Sequence, residues 1–163
     1  MGEGHPFPPR RTWKYTQHKP FYGVYETNRR AVYLMQQRIR KEPFLATFDG
    51  ADPNSNTAER QISTTALQAL YMMNDEFVHN EARKLAERVM AVSAERPKQI
   101  DQAYRLAFAR SATPAEQKLC DQFLRDTRAE LAKSGTKPEE LDTAALSSLM
   151  RVLFSSNEFV FVD

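Results

Sequence analysis

From about residue 62 onward, apolar residues recur at helical spacing. Val78, Ala82, Leu85 and Val89 lie four, three and four positions apart, which puts them in one stripe of a 3.6-residue helix. After Pro97, residues Ile100, Ala103, Tyr104, Ala107 and Phe108 share one face. Thr113-Pro114-Ala115-Glu116 then combines a capping threonine, a proline at the first helical position and a glutamate that reaches back. Cys120, Phe123, Leu124, Thr127 and Leu131 form the mainly apolar face that follows, and Gly135 ends it. Leu146, Leu149, Met150 and Leu153 mark another helix, over about residues 142–154. Upstream, Thr65 and Gln68 have capping-box spacing, with Leu67, Leu70 and Tyr71 as the apolar side of a short helix. Asn74-Asp75 breaks and restarts the chain, with Asp75 as the N-cap of the next helix. Five helices joined by short links predict an all-α fold, a small antiparallel or orthogonal bundle over residues 62–163. The apolar tail Phe159-Val160-Phe161-Val162 is expected to be extended or laid over that bundle.

The first third reads differently. Pro6, Pro8, Pro9, Pro20 and Gly23 exclude a regular element through residues 1–28. Its aromatic residues, Trp13, Tyr15, Phe21, Tyr22 and Tyr25, are too many for a free tail, so an irregular or partly extended segment packed on the bundle is expected. It could equally have lost the partner it packs on. Val32-Tyr33-Leu34-Met35 suits a strand or a buried helical turn, because so short a run has no decisive period. Pro43 is expected to close that element, and residues 44–61 to form a long loop. The expected organisation is therefore 1–28, 29–61 and 62–163.

Charge sharpens this division. Residues 1–41 hold nine Lys/Arg against two Asp/Glu, and residues 42–163 hold fourteen against nineteen. A basic, aromatic segment is what a single-strand nucleic-acid surface needs. The simpler reading is a basic segment lying across an acidic domain, and the modest net charge of +2 favours it. The one cysteine excludes an internal disulfide and a thiolate zinc cluster. No run approaches the 18 apolar residues of a membrane span, and the N-terminus has no signal-peptide run.

The search for chemistry is short. His5, His18 and His79 form no metal-ligand spacing, and no nucleophile elbow, phosphate loop or dinucleotide fingerprint is present. Cys120 sits on an apolar helix face, as buried free cysteines do. No catalytic residue, cofactor or metal is therefore expected. Asp49 and Asp52 flank Gly50-Ala51, followed by Asn54, Asn56, Glu59 and Arg60. The spacing does not fit a calcium loop. It fits an Asx-turn and capping cluster, with a carbohydrate or peptide contact surface as the other reading. Arg60 offers a five-donor fork, so a structural lock of Arg60 with Asp49, Asp52 and Asn74 is expected.

Several segments together carry a resemblance. They are Arg29-Arg30-Ala31-Val32-Tyr33, Leu45-Ala46-Thr47-Phe48-Asp49-Gly50-Ala51-Asp52, Arg60-Gln61-Ile62-Ser63-Thr64-Thr65-Ala66-Leu67-Gln68-Ala69-Leu70 and Met73-Asn74-Asp75-Glu76-Phe77-Val78. Ala109-Arg110-Ser111-Ala112-Thr113-Pro114-Ala115-Glu116 and Ser156-Asn157-Glu158-Phe159-Val160-Phe161-Val162-Asp163 complete the series. Over roughly residues 25–163 the chain resembles the C-terminal part of the large exported proteins of Planctomycetes and related bacteria that carry the domain of unknown function 1553, the PSD1 family. Family members commonly have proline where this chain has Ala66, which agrees with a Thr65 cap. The resemblance implies a periplasmic or exported parent with a further domain upstream, in some members a haem module. This chain lacks the CxxCH signature for haem attachment. A role around polysaccharide breakdown is implied only by association, and the family supplies no established catalytic residues. Its recurrent polar positions carry over to Arg29, Arg30, Asp49, Asp52, Arg60, Thr65, Asn74 and Asp75. The expected function is a non-catalytic helical accessory domain that packs on the upstream part of its parent, or binds another protein or a glycan. The alternatives are part of an enzyme or binding module acting on polysaccharide, and single-stranded nucleic-acid binding through the basic segment.

Overall fold

A computed structural model of the chain describes residues 41, 43–52, 54–56, 63 and 65–160. The chain divides into two compact units, Met1–Gln68 and Ala69–Asp163. The expectations for residues 1–28 and 29–40, including the choice between strand and helix, lie outside the described residues. Among those described there are seven α-helices, one 3-10 turn and no strand.

In the first unit, α1 runs over Pro43–Thr47, where a loop is expected from the sequence. Pro43 opens this helix; the element it is expected to close lies outside the described residues. A proline is pre-set for the first helical position, and the Phe44 and Phe48 rings, one turn apart, lie 4.9 Å from each other. Helix α2, Ala66–Asn74, begins at the end of this unit. Its capping box forms as the spacing predicts. Thr65 N–H donates to Gln68 Oε1 at 3.1 Å, and Gln68 N–H donates to Thr65 Oγ1 at 3.3 Å.

The second unit is a helical bundle. Helix α3, Glu76–Val92, starts at Asp75, whose carboxylate accepts the Phe77 N–H at 2.9 Å. Its stripe buries Val78, Ala82, Ala86 and Val89, with Leu85 partly buried beside them. Helix α4, Arg96–Phe108, has Pro97 in its first turn and ends at Ala109, which adopts a left-handed conformation with φ 58°. Helix α5, Pro114–Lys133, carries the full capping box of Thr113 and Glu116. It ends at Gly135, with φ 86°, as Thr136 N–H reaches back to the Leu131 carbonyl at 3.1 Å. That is the geometry for which glycine is favoured. After a 3-10 turn at Pro138–Glu140, α6 spans Leu141–Phe154.

Helix α6 is the centre of the bundle. It buries Leu141, Ala145, Leu146, Leu149, Met150 and Leu153 and packs against α3 and α5. The closely facing helices carry alanines, Ala82 and Ala86 on α3 and Ala145 on α6, all in the core. Ile100, Ala103, Tyr104, Cys120 and Leu124 complete it from α4 and α5.

Of the two forms expected for the tail, its described part takes the one laid over the bundle: Asn157–Val160 forms α7, one turn in which the Ser156 carbonyl accepts the N–H groups of Phe159 and Val160 at 3.1 Å each. It packs on α4 and α6. Helices α1 and α7 account for the difference between seven and the expected five. The apolar side of α2 is not core. Leu67 and Leu70 are exposed, only Tyr71 is half-buried, and the helix buries no residue.

Candidate functional site

Two polar clusters stand out, one in each unit. The first forms where α1 ends. Phe48 N–H closes on the Phe44 carbonyl at 3.0 Å and Gly50 N–H on the Leu45 carbonyl at 2.6 Å, a bond across six residues that terminates a helix through a left-handed position. That position is Asp49, with φ 52°. Aspartate tolerates this region better than most side chains. Gly50 must be glycine for a different reason: a Cβ there would stand 2.7 Å from both Leu45 Cβ and the Leu45 carbonyl oxygen.

The turn holds the Asp49 carboxylate against the start of α2. Oδ2 accepts Ser63 N–H at 2.9 Å and Ser63 Oγ–H at 2.6 Å. Gln68 Nε2 approaches the same oxygen at 3.3 Å and donates to the Thr47 carbonyl at 2.9 Å. Gln68 thus caps its own helix with its oxygen and ties the end of α1 with its nitrogen. The hydroxyl and then the amide of Ser63 hold Asp49 below the usual carboxylate range, with Gln68 and the charge of Lys41 adding to them against the opposing effect of burial.

The other residues singled out in the sequence have local partners. Asp52 Oδ1 accepts Asn54 N–H at 2.9 Å, an Asx-turn. Thr65 and Asp75 cap α2 and α3. Asn74 Nδ2 donates to the Leu70 carbonyl at 2.9 Å, at the end of α2. Arg29, Arg30 and Arg60 lie outside the described residues, and with Arg60 the expected lock. Asp49 is joined to Ser63, which was not singled out, and to Gln68, which was read only as a cap. A glutamine three residues after a threonine signals a cap, and nothing in that spacing reveals its second bond.

The second cluster was not anticipated. Arg110, in the link between α4 and α5, makes the kind of lock expected of Arg60. Its Nη1 and Nη2 donate to the two Glu116 oxygens at 2.9 and 2.7 Å. Its Nε and Nη2 donate to the Glu158 oxygens at 2.7 and 2.8 Å. The guanidinium also lies over the Tyr104 and Phe108 rings, 5.3 and 5.6 Å from their centroids. Glu116 accepts Thr113 N–H and Oγ–H as well, at 2.7 and 2.8 Å. Arg110 first and Thr113 second hold its carboxyl down at about 2. Below the cluster, Tyr104 OH and Cys120 Sγ are 3.7 Å apart. Burial is the main cause that pushes both groups up, so Cys120 is a protonated thiol in the core.

A family model described as PSD1, protein of unknown function (DUF1553), matches residues 1–124. The chain belongs to the PSD1 family. The match takes in the proline-rich opening, which the sequence resemblance, running from about residue 25, leaves out, and it ends within α5. The Asp49 cluster, Arg110 and Glu116 thus fall inside the PSD1 match, whereas Glu158 lies beyond it. No curated protein and no solved structure matches the chain. Among the described residues no group of His, Cys, Asp and Glu could hold a metal ion, and no helix is long and apolar enough to cross a membrane.

Proposed function

We propose that this PSD1 chain is a non-catalytic helical interaction module that docks on another protein through α2. The observation that carries the reading is the apolar side of that helix. Leu67, Leu70 and Met73, one helical turn apart in succession, are 63%, 55% and 62% exposed. Phe77, near the start of α3, is also exposed. Helix α2 carries no charged residue. A contiguous apolar face in water is unfavourable, and such faces mark interaction sites. Apolar anchors at this spacing are how a helix enters a groove on a partner.

The polar clusters support a structural role for the residues carried over from the family. Each described one caps a helix, closes a turn or ties one element to another. The polysaccharide-enzyme reading needs a carboxyl raised enough to donate a proton near neutral pH. Asp49 is shifted the other way. A glycan surface would offer ring faces beside polar groups, and the α2 stripe is aliphatic over Leu67, Leu70 and Met73, which favours a protein partner. The resemblance to exported proteins makes the partner another part of the parent or another envelope protein. The nucleic-acid reading rests on residues 10–41, and of these only Lys41 is described.

The test is site-specific photo-crosslinking in cells that make the parent protein. A photoreactive residue at Leu70 or Met73 should give a discrete protein adduct, and one at the exposed Glu87 of α3 should not. The adduct at Leu67 should disappear when Leu70 and Met73 are changed to glutamate. Equal labelling at Glu87, or an adduct indifferent to those changes, would remove the proposal's basis.

A further inference from the structure

The two carboxylates on Arg110 are held unequally. Glu116 lies in the first turn of the twenty-residue helix α5 and is also bound by Thr113. Glu158 lies on α7, a four-residue turn that buries none of its side chains. A single turn has no stability of its own in water. Glu158 bonds α7 to Arg110, and the Phe159 ring lies against Phe154, 4.8 Å between centroids. Glu116 repels Glu158 across the shared arginine.

The surface beneath α7 is also held by contacts that do not involve it. Arg110 retains both bonds to Glu116, a 3.2 Å bond to the Ser111 carbonyl and its position over two aromatic rings. Phe154 is packed against the bundle core. When α7 leaves, it exposes a fixed guanidinium edge beside a fixed ring, and no buried charge loses its only partner. The segment seated there defines the chemistry that fits, a glutamate followed directly by a phenylalanine. We propose that α7 is a detachable latch, and that the Arg110–Phe154 position under it is a docking site for a glutamate–phenylalanine segment. It is filled here by the chain's own α7, and in exchange by α7 of a second copy.

Two measurements on the full chain test this. Glu158→Gln should speed amide hydrogen exchange at Phe159 and Val160 about tenfold or more, because the latch opens locally. The Gln117 amide, bonded to the Thr113 carbonyl at 2.9 Å, should keep its protection. An end-blocked peptide of the sequence Ser155-Ser156-Asn157-Glu158-Phe159-Val160 should then shift the NMR signals of Arg110 and Phe154 in a Glu158→Ala, Phe159→Ala variant. In the unaltered chain the same shift should need about tenfold more peptide, since the tethered segment competes at an effective concentration on the order of millimolar. A peptide with glutamine in place of the glutamate should not bind. If the double variant melts below the unaltered chain, Glu158→Gln replaces it in the titration. Unchanged exchange in Glu158→Gln, or equal peptide affinity for filled and emptied sites, would overturn the proposal.

Discussion

Helices α2 and α6 are both rich in leucine, methionine and alanine, yet α6 buries six of its residues and α2 buries none. Leu149 lies in the core on α6, which packs against α3 and α5; Leu70 on α2 is exposed. An apolar stripe therefore specifies a face, and only the tertiary neighbours decide whether that face is core or contact surface. The largest effect that separates the two is truncation. Leu149→Ala should cost about 2–5 kcal/mol in chemical denaturation, the range for a leucine removed from a packed core. Leu70→Ala should cost about 0.5 kcal/mol or less, as at exposed sites. Similar losses at both positions would erase the distinction.

Adding volume should divide the helices in the same way. Ala86 is wholly buried, so Ala86→Leu should destabilise by about 1–3 kcal/mol through overpacking. Ala69→Leu on the exposed side of α2 should change the melting curve little.

Much of this bundle was legible in local spacing. The caps at Thr65, Asp75 and Thr113 and the stop at Gly135 each need only residues within one turn, so sequence carries them directly. The stripe of α3 was legible for the same reason. The helix that starts at Pro43 was not legible, because five residues carry no helical period and a proline can both follow one element and begin the next. Helix α7 and the Arg110–Glu158 pair were not legible, because the two partners are 48 positions apart and a four-residue turn carries no helical period. The lock expected of Arg60 lies outside the described residues, and the one that Arg110 makes left no local signal. The exposure of Leu67 and Leu70 was not legible, because periodicity cannot report what lies opposite a face.

The capping box of α5 gives a smaller effect with a defined pH dependence. Thr113→Ala should cost about 1 kcal/mol. The Glu116 carboxyl is lowered from 4.5 to about 2 in the folded chain. Its contribution is therefore fully present above pH ~4.5, where the unfolded chain is also ionised, and is lost as pH falls through about 2. Thermal melts of Glu116→Gln and the unaltered chain should differ by a constant amount above pH ~5 and converge towards pH ~2. A difference that grew on acidification would contradict the assigned contacts.

The smallest expected effects lie at the end of α1. Asp49→Asn weakens the acceptor for Ser63 and Gln68, and Gly50→Ala forces a Cβ against Leu45. Both should speed amide exchange locally at Ser63 and Gly50 and leave the melting of the α3–α6 bundle unchanged.

The central claim, that α2 presents a free docking face, is tested most directly by one denaturation curve. Replacing Leu67, Leu70 and Met73 together with glutamate places three charges where a core would not accept them. The account predicts an unfolding free energy within about 1 kcal/mol of the unaltered chain, as for surface substitutions. A loss of more than about 4 kcal/mol, the signature of charge forced into a core, would show that the stripe is internal and would contradict the account.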